Sequence, residues 1–422
     1  MKILLVNYYY APMVSAHAYR WTQLSAYWAK MGHEVHVICS SINESARENI
    51  VNNPSVVRVG MIRAKKIRSE QIHSRNGSTK QKYLAVAKNF LRFFYRKIYW
   101  PDGLWYWSFS VIGELIKRRS SDYDLVVSYS PSFTAHLAVL FFKKICRRDF
   151  YWIADYGDPF ATSITMPNNN TQLFRRLNVF AESAVLKNAS KVCFTSNNTY
   201  EDYCSAFGAM SNAYVIPHMA DIADVYENTK HVINPAFIRL VFIGNFHKGI
   251  REPFLAAKII EVIAEHLSLN NDTRVLFDIY GASNGVDLRS ICSSVVTWHG
   301  PLDRSCTAKV IGEADFLVNI ENTNCSMIPS KIVEYIATGK PIIDVAKTYA
   351  DVPPLMASYA MEGKAMIMTD EYITELDSVL SFMRNYKGKG KISLEFLNEF
   401  LKDYGIEQIS SKYLSHVINP AA

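Results

Sequence analysis

The chain is 422 residues long, 49% hydrophobic and modestly basic, with a formal net charge of +7. That length suits two domains, and the apolar fraction is ample for two cores. Seven cysteines stand far apart, at 39, 146, 193, 204, 292, 306 and 325, with no Cys-x-x-Cys among them; the pattern excludes a disulfide framework or a zinc site and reads as reduced thiols in a cytosolic protein.

The opening MKILLVNYYYAP carries a short apolar run and no small-residue cleavage site, so it is read as a strand and not as a signal peptide. The helix AHAYRWTQLSAYWAKM follows, stopped by Gly32, and HEVHVICS is the next strand, which makes a βαβ unit. Residues 58–99 then hold twelve Lys and Arg against a single acid, Glu70, with aromatics among them in NFLRFFYRKIYWPDGLWYW. A charge run is ordinarily a solvated face, but basic residues interleaved with Phe, Tyr and Trp suit an anionic membrane surface better. The alternation resumes with DLVVSYS, a helix over 133–146, the strand FYWIADYG, a helix near 172–188 and KVCFTS, and AYVIPHMAD leads out of this half.

The second half repeats the logic. RLVFIG, VLFDIYG, VVTWHG, DFLVNI and PIIDVA read as strands with helical segments between them. Strand–helix alternation predicts a parallel sheet covered on both faces, and ligands of open α/β sheets bind at the carboxyl ends of the strands. Those ends are Gly244–Ile250, Gly281–Asn284, His299–Leu302 and Glu321–Ser330. The last segment, SLEFLNEFLKDYGIEQISSKYLSHVI, reads as helical. No apolar run approaches the ~18 residues of a membrane-spanning helix. The expected organisation is 1–217 as a first domain with a basic, aromatic insertion at 58–107, then 218–395 as a second domain. Residues 396–422 are expected to return to the first domain.

The stretch SMIPSKIVEYIATGKPII, residues 326–343, is the densest local signal. Ser330 is a natural N-cap, Pro329 blocks upstream extension, and Gly339 with Pro341 ends the helix before the strand IIDVA. Ile332, Val333, Ile336 and Ala337 fall on one face, and Lys331, Glu334 and Thr338 on the other. A helix N-terminus suits an anion such as phosphate, and a carboxylate just inside it suits sugar hydroxyls. The plain alternative is an amphipathic helix with a solvated Lys–Glu pair.

With these stretches in order, the sequence resembles the GT-B glycosyltransferases of family 4, the retaining class that uses nucleotide sugars. IPSKIVEYIATGKPII resembles their donor-site signature, and FYWIADYGDPF their D-x-R-D-P-W segment. VIPHMAD resembles the linker between domains, and FIGNFHKGIREPFLAA the loop with phosphate-binding basic residues. The resemblance implies two Rossmann-like domains facing a cleft, the first for the acceptor and the second for the donor, with no cofactor and no metal beyond a UDP- or GDP-linked sugar. It implies Glu334 on the nucleotide ribose, Arg251 or Lys248 on the diphosphate, Lys331 as a second phosphate contact, and Asp158 near the sugar and the acceptor. Ser15 and Ala16 replace the family's glycine pair after the first strand, and Ser326 replaces the first acid of its E-x7-E, whose role is then either unfilled or displaced to Glu321 or Asn324.

On this basis the candidate catalytic residues are Asp158, Arg251 and Lys331. The donor is expected to meet Ser15, Ala16, Gly244, Asn245, Lys248, Gly281, His299, Leu302, Ser326, Ile328, Pro329, Ser330 and Glu334. Asp155 and His136 are assigned to the acceptor, although His17, His136 and His218 each read more simply as packing or surface residues. The D-x-D of Asp122–Asp124 precedes the strand LVVSYS and so lies away from the ligand edge. No G-x-G-x-x-G follows the first strand, which argues against a dinucleotide site. The expected protein sits in the cytoplasm, peripheral on the inner face of the membrane. It serves polysaccharide biosynthesis with a glycan or lipid-linked acceptor and does not bind nucleic acid. A GT-B nucleotide-sugar epimerase and a non-catalytic GT-B partner subunit are the alternatives.

Overall fold

The computed structural model describes residues 1–13, 15–41, 54–60, 95, 97–118, 122–145, 150–163, 167–232, 236–271, 274–324 and 327–418. Two units emerge, Met1–Pro217 with Ser410–Ala422, and His218–Ile409. Residues 396–409, expected in the returning segment, therefore lie in the second unit, because Leu397 and Leu401 of the helix Leu394–Phe400 and its exit are buried in that unit's core.

The first unit is a parallel sheet whose strands are short runs of apolar and β-branched residues. β1 is Lys2–Val6, β2 Glu34–Ser40, β3 Ser55–Val59, β4 Leu125–Ser130, β5 Tyr151–Tyr156, β6 Lys191–Phe194 and β7 Ala213–Val215. The spatial order is β3-β2-β1-β4-β5-β6-β7. All of β4 is buried, as a strand covered on both faces must be. Ser15 caps the helix Ala16–Lys30 by accepting from the Ala18 N–H, and Asn170 caps Thr171–Asn188 by accepting from the Leu173 N–H. The core between sheet and helices centres on Trp107, Trp152 and the rings of Phe133 and Phe160, stacked at 3.8 Å. The expected insertion at 58–107 begins inside β3, and Arg58 is a sheet residue whose guanidinium donates to the Ala11 carbonyl and to the Cys39 sulfur. The rest of that basic stretch, 61–94 and 96, lies outside the described residues.

The chain's last turns complete this unit. The Trp28 indole donates to Ser410 Oγ at 2.9 Å, and the Tyr413 ring packs on Trp21 and Trp28. The Tyr413 hydroxyl donates to Asp155 Oδ2 at 2.9 Å and accepts from Arg20 at 2.7 Å.

The second unit is a parallel sheet of β8 Phe237–Ile243, β9 Arg274–Tyr280, β10 Val296–Gly300, β11 Phe316–Ile320, β12 Ile342–Val345 and β13 Ala365–Met368, in the order β10-β9-β8-β11-β12-β13. In each sheet the strand order runs outward both ways from one pair, β1 and β4 in the first and β8 and β11 in the second. The loops leaving such a pair at its carboxyl end diverge and open a crevice.

Candidate functional site

In the second unit that crevice is framed by two loops. The first, after β8, begins with a backbone crossing that only glycine permits. Gly281, at φ +148°, passes so close to the Gly244 carbonyl that an added Cβ would lie 1.7 Å from its oxygen, and a Cβ on Gly244 would lie 2.7 Å from the Phe242 ring. Asn245 Oδ1 accepts from the Ala282 N–H at 3.0 Å, which ties this loop to the end of β9. The chain then turns in a tight hairpin from His247 to Arg251, with Gly249 at φ +75° and Lys248 exposed at its tip. The second loop, after β11, clips onto this hairpin. Thr323 donates from its backbone to the Ile250 carbonyl at 2.7 Å, and the Asn324 amide donates to the Gly249 carbonyl at 3.3 Å.

The helix Lys331–Ala337 closes the loop with one face in the core, as its spacing predicts. Three local expectations change. Ser330 is already helical, at φ −59° and ψ −23°, and its side chain makes no cap bond. The helix is seven residues long, too short to carry a sizeable terminal dipole. Thr338 is buried, its hydroxyl donating to the Tyr335 carbonyl at 2.6 Å. Pro329 is buried and Ile328 packs on the apolar cluster beneath, so both shape the loop by packing, as does Leu302 across from them.

Lys331 is the chemical centre of this edge. Its amine donates to the Ile243 carbonyl, the last of β8. Burial pushes its pKa down to about 8; Glu334 opposes the shift, and the Arg251 and Arg304 guanidiniums add to it. Three cations and one carboxylate thus converge within electrostatic reach of one another. Arg304 pairs with Glu334 at 3.6 Å, longer than a hydrogen bond, so the carboxylate keeps acceptor capacity. Arg304 was missed in the sequence, although it stands two residues past Leu302, as the first residue of the helix Arg304–Gly312.

Behind these cations lies an acid pair. Glu321 and Asp344 are both buried, and the Asn319 amide donates to each at 2.6 Å. Burial, and then the neighbouring Asp344, hold the Glu321 carboxyl well above the usual range. Glu321 is therefore internal and does not take over the role expected of the first acid. Ser326, at the position of that acid, lies outside the described residues. His299 is also engaged elsewhere. Its ring stacks on Tyr280, and Nε2 lies 2.7 Å from Asp278, which Arg239 also contacts at 3.2 Å.

In the first unit the crevice edge is aromatic. Ser15 serves as the helix cap and Ala16 is exposed at the first helical position. His17, next along, lies with Nε2 3.6 Å from Asp158 Oδ2 and Nδ1 3.0 Å from the Tyr129 hydroxyl. A Cβ at Gly157 would lie 2.0 Å from that hydroxyl, so only glycine lets the chain deliver Asp158 to this position. Tyr9 leans on His17 at 5.7 Å between ring centroids. His17 thus belongs with Asp158, although packing or surface was its simpler sequence reading.

The two residues assigned to the acceptor are corrected. Asp155 is fully buried, with Arg20 Nε 3.8 Å away and the Tyr413 hydroxyl bonded to it; burial pushes its pKa up to about 6. His136 is fully buried, 2.7 Å from Ser128 Oγ and against the Tyr156 ring, and burial pushes its pKa down to about 3. Neither can reach a ligand. Asp124 accepts from the Lys2 N–H at 2.7 Å, at the amino end of the sheet. Among the described residues no three His, Cys, Asp or Glu side chains group as a metal site, and no helix is long and apolar enough to cross a membrane.

Residues 18–224 match the family model Glycosyltransferase Family 4. No curated protein matches the chain in sequence. Among solved structures, sucrose-phosphate synthase from Thermosynechococcus elongatus aligns at a TM-score of 0.63 and 13% identity, over 100% of both chains. Anabaena HepE in complex with UDP aligns at 0.61 and 13%, over 99% of this chain and 100% of its own. WaaG, a glycosyltransferase involved in lipopolysaccharide biosynthesis, aligns at 0.53 and 12%, over 97% and 99%. At these identities the likeness shows the fold, two Rossmann-like units in tandem.

Proposed function

From a chain whose residues 18–224 match the Glycosyltransferase Family 4 model and whose units carry the GT-B fold, we propose a retaining glycosyltransferase that moves a sugar from a nucleoside-diphosphate sugar to a glycan or lipid-linked acceptor in polysaccharide biosynthesis. The single observation that carries this reading is the convergence of Arg251, Lys331 and Arg304 around Glu334 at the carboxyl edge of the second sheet. A leaving diphosphate gains negative charge as the glycosidic bond breaks, and fixed cations in a partly dehydrated site stabilise it without a metal. Glu334 accepts from the ribose hydroxyls. In the first unit Asp158, oriented by His17, faces the acceptor. The UDP bound to HepE supports a uridine donor ahead of a guanosine one.

The test is calorimetric titration with UDP and with GDP, in chelator, of the wild type and of Glu334→Gln. The wild type should bind one of the two without metal. The variant should bind about ten- to a hundredfold more weakly, the worth of a hydrogen bond to a charged acceptor. Equal affinity in the two proteins would remove Glu334 from the donor site. Ser326, in place of the first acid, favours a second reading, a partner subunit without activity; such a protein would bind neither nucleotide.

A further inference from the structure

The helix Thr171–Asn188 in the first unit buries polar side chains beside its apolar contact with the core and leaves a second apolar stripe exposed. Two of its polar residues, Asn178 and Glu182, face inward beside Ala181, Val185 and Leu186. Asn178 accepts from the Trp100 indole at 2.9 Å and exchanges bonds with Asn169, and the fully buried Glu182 accepts from Tyr203 at 2.7 Å and from the Ala161 N–H at 2.9 Å. Three of its large apolar residues face outward, with Leu173 61%, Leu177 41% and Phe180 73% exposed, at i, i+4 and i+7 along one stripe. Arg175 and Arg176 flank the stripe and line a shallow depression with Val179, Phe180 and Ser183. The stripe extends beyond the helix: the Asn170 amide donates to the Lys97 carbonyl at 3.2 Å, which brings exposed Lys97 and Ile98 to its amino end. The next helix, Phe133–Ile145, adds exposed Phe141 and Ile145.

Among the described residues of its three helices, the unpaired charge on this face has one sign. Glu182 is the sole acid of the helix Thr171–Asn188 and is buried, and Phe133–Ile145 contains none. On the third helix of the layer, Trp107–Lys117, the one acid, Glu114, is paired to Lys117 and Arg118. Apolar side chains in a row between cations, with no exposed acid, match a bilayer surface whose headgroups are anionic and whose acyl boundary accepts Leu and Phe. A second copy of the same face would set Arg175 and Arg176 against their own counterparts with nothing to pair them.

We propose that the outer face of the helix Thr171–Asn188, with Lys97 and Ile98, docks the protein on an anionic lipid bilayer. For its purpose, access to a lipid-linked acceptor, this rests on the transferase reading; for its occurrence it does not, and bare lipid tests it separately. The full chain is sedimented with vesicles of phosphatidylcholine alone and of phosphatidylcholine with phosphatidylglycerol. It should bind the anionic vesicles and leave the neutral ones. Arg175→Gln with Arg176→Gln should weaken that binding about 30-fold. Leu177→Ser with Phe180→Ser should weaken it at least about tenfold, by loss of apolar insertion. All four side chains are exposed, so far-ultraviolet dichroism and UDP affinity should stay unchanged, which distinguishes failed docking from a failed donor site. Absence of wild-type binding to anionic vesicles, or wild-type binding in both double variants, overturns the proposal. So does a wild-type dimer in solution that Leu177→Ser with Phe180→Ser dissolves, since a second copy then covers the face.

Discussion

Lys331 holds a charge where the surroundings resist one. Burial, with Arg251 and Arg304 nearby, brings its pKa down to about 8, so near pH 7 the amine is charged but not strongly so. A bound diphosphate restores the preference for the ammonium form. Affinity for UDP should therefore be full at pH 6 to 7 and fall as pH rises past about 8, approaching one proton per ligand, and calorimetry across that range reads the slope. Lys331→Met should flatten the profile. It should also act mainly on kcat, because the charge matters most as the leaving phosphate forms. The sign for stability is opposite: between pH 8 and 10.5 the unfolded chain holds the extra proton, so this lysine makes the free protein more stable as pH rises through that window.

At the scale of elements, the crossing of the β8 and β9 exits is the tightest local constraint. Gly281→Ala places a Cβ inside the Gly244 carbonyl, and the backbone must move; Gly285→Ala, at φ +90° with open space around it, adds strain alone. Gly285→Ala should cost about 1–2 kcal/mol, and Gly281→Ala clearly more, with loss of UDP binding because the hairpin bearing Lys248 and Arg251 is displaced. Thermal unfolding with and without UDP compares the two. This constraint was only half legible beforehand. Gly244 and Gly281 stood at strand ends in the sequence, but nothing in a sequence shows that two strand exits cross. The same limit explains Asp155 and His136. In a sheet covered on both faces, a residue near a strand's carboxyl end, as Asp155 is, or in the first turn of the helix that follows, as His136 is, can point into the core, so nearness to the ligand edge does not establish access to it. The strands themselves were readable because LLV, LVVSYS and FLVNI are buried, largely apolar runs without a charged residue. β3, β7 and β13 were missed as short edge or near-edge strands of three to five residues whose SVVRV, AYV and AMIM carry little of that signal.

At the scale of the whole molecule, the first unit is discontinuous in sequence, left at Pro217 and resumed at Ser410. Tyr413 is the joint. Its hydroxyl serves both members of the buried Arg20–Asp155 pair. Tyr413→Phe removes both bonds at once and should lower the unfolding midpoint of the first unit by the equivalent of about 1–3 kcal/mol, with UDP affinity unchanged. A fall in UDP affinity instead would show that the joint serves the donor site.

The joint also fixes a timetable. A ribosome adding about 5–20 residues per second releases the sheet of the first unit early and then needs roughly 10–40 s to reach Ser410. Throughout that interval Trp21 and Trp28 lack their cover, and Arg20 with Asp155 lacks its hydroxyl partner. The amino-terminal half of the protein therefore cannot finish folding as it emerges. A chain that stops short of Tyr413 leaves the first unit open at this seam, exposed to chaperones and proteases.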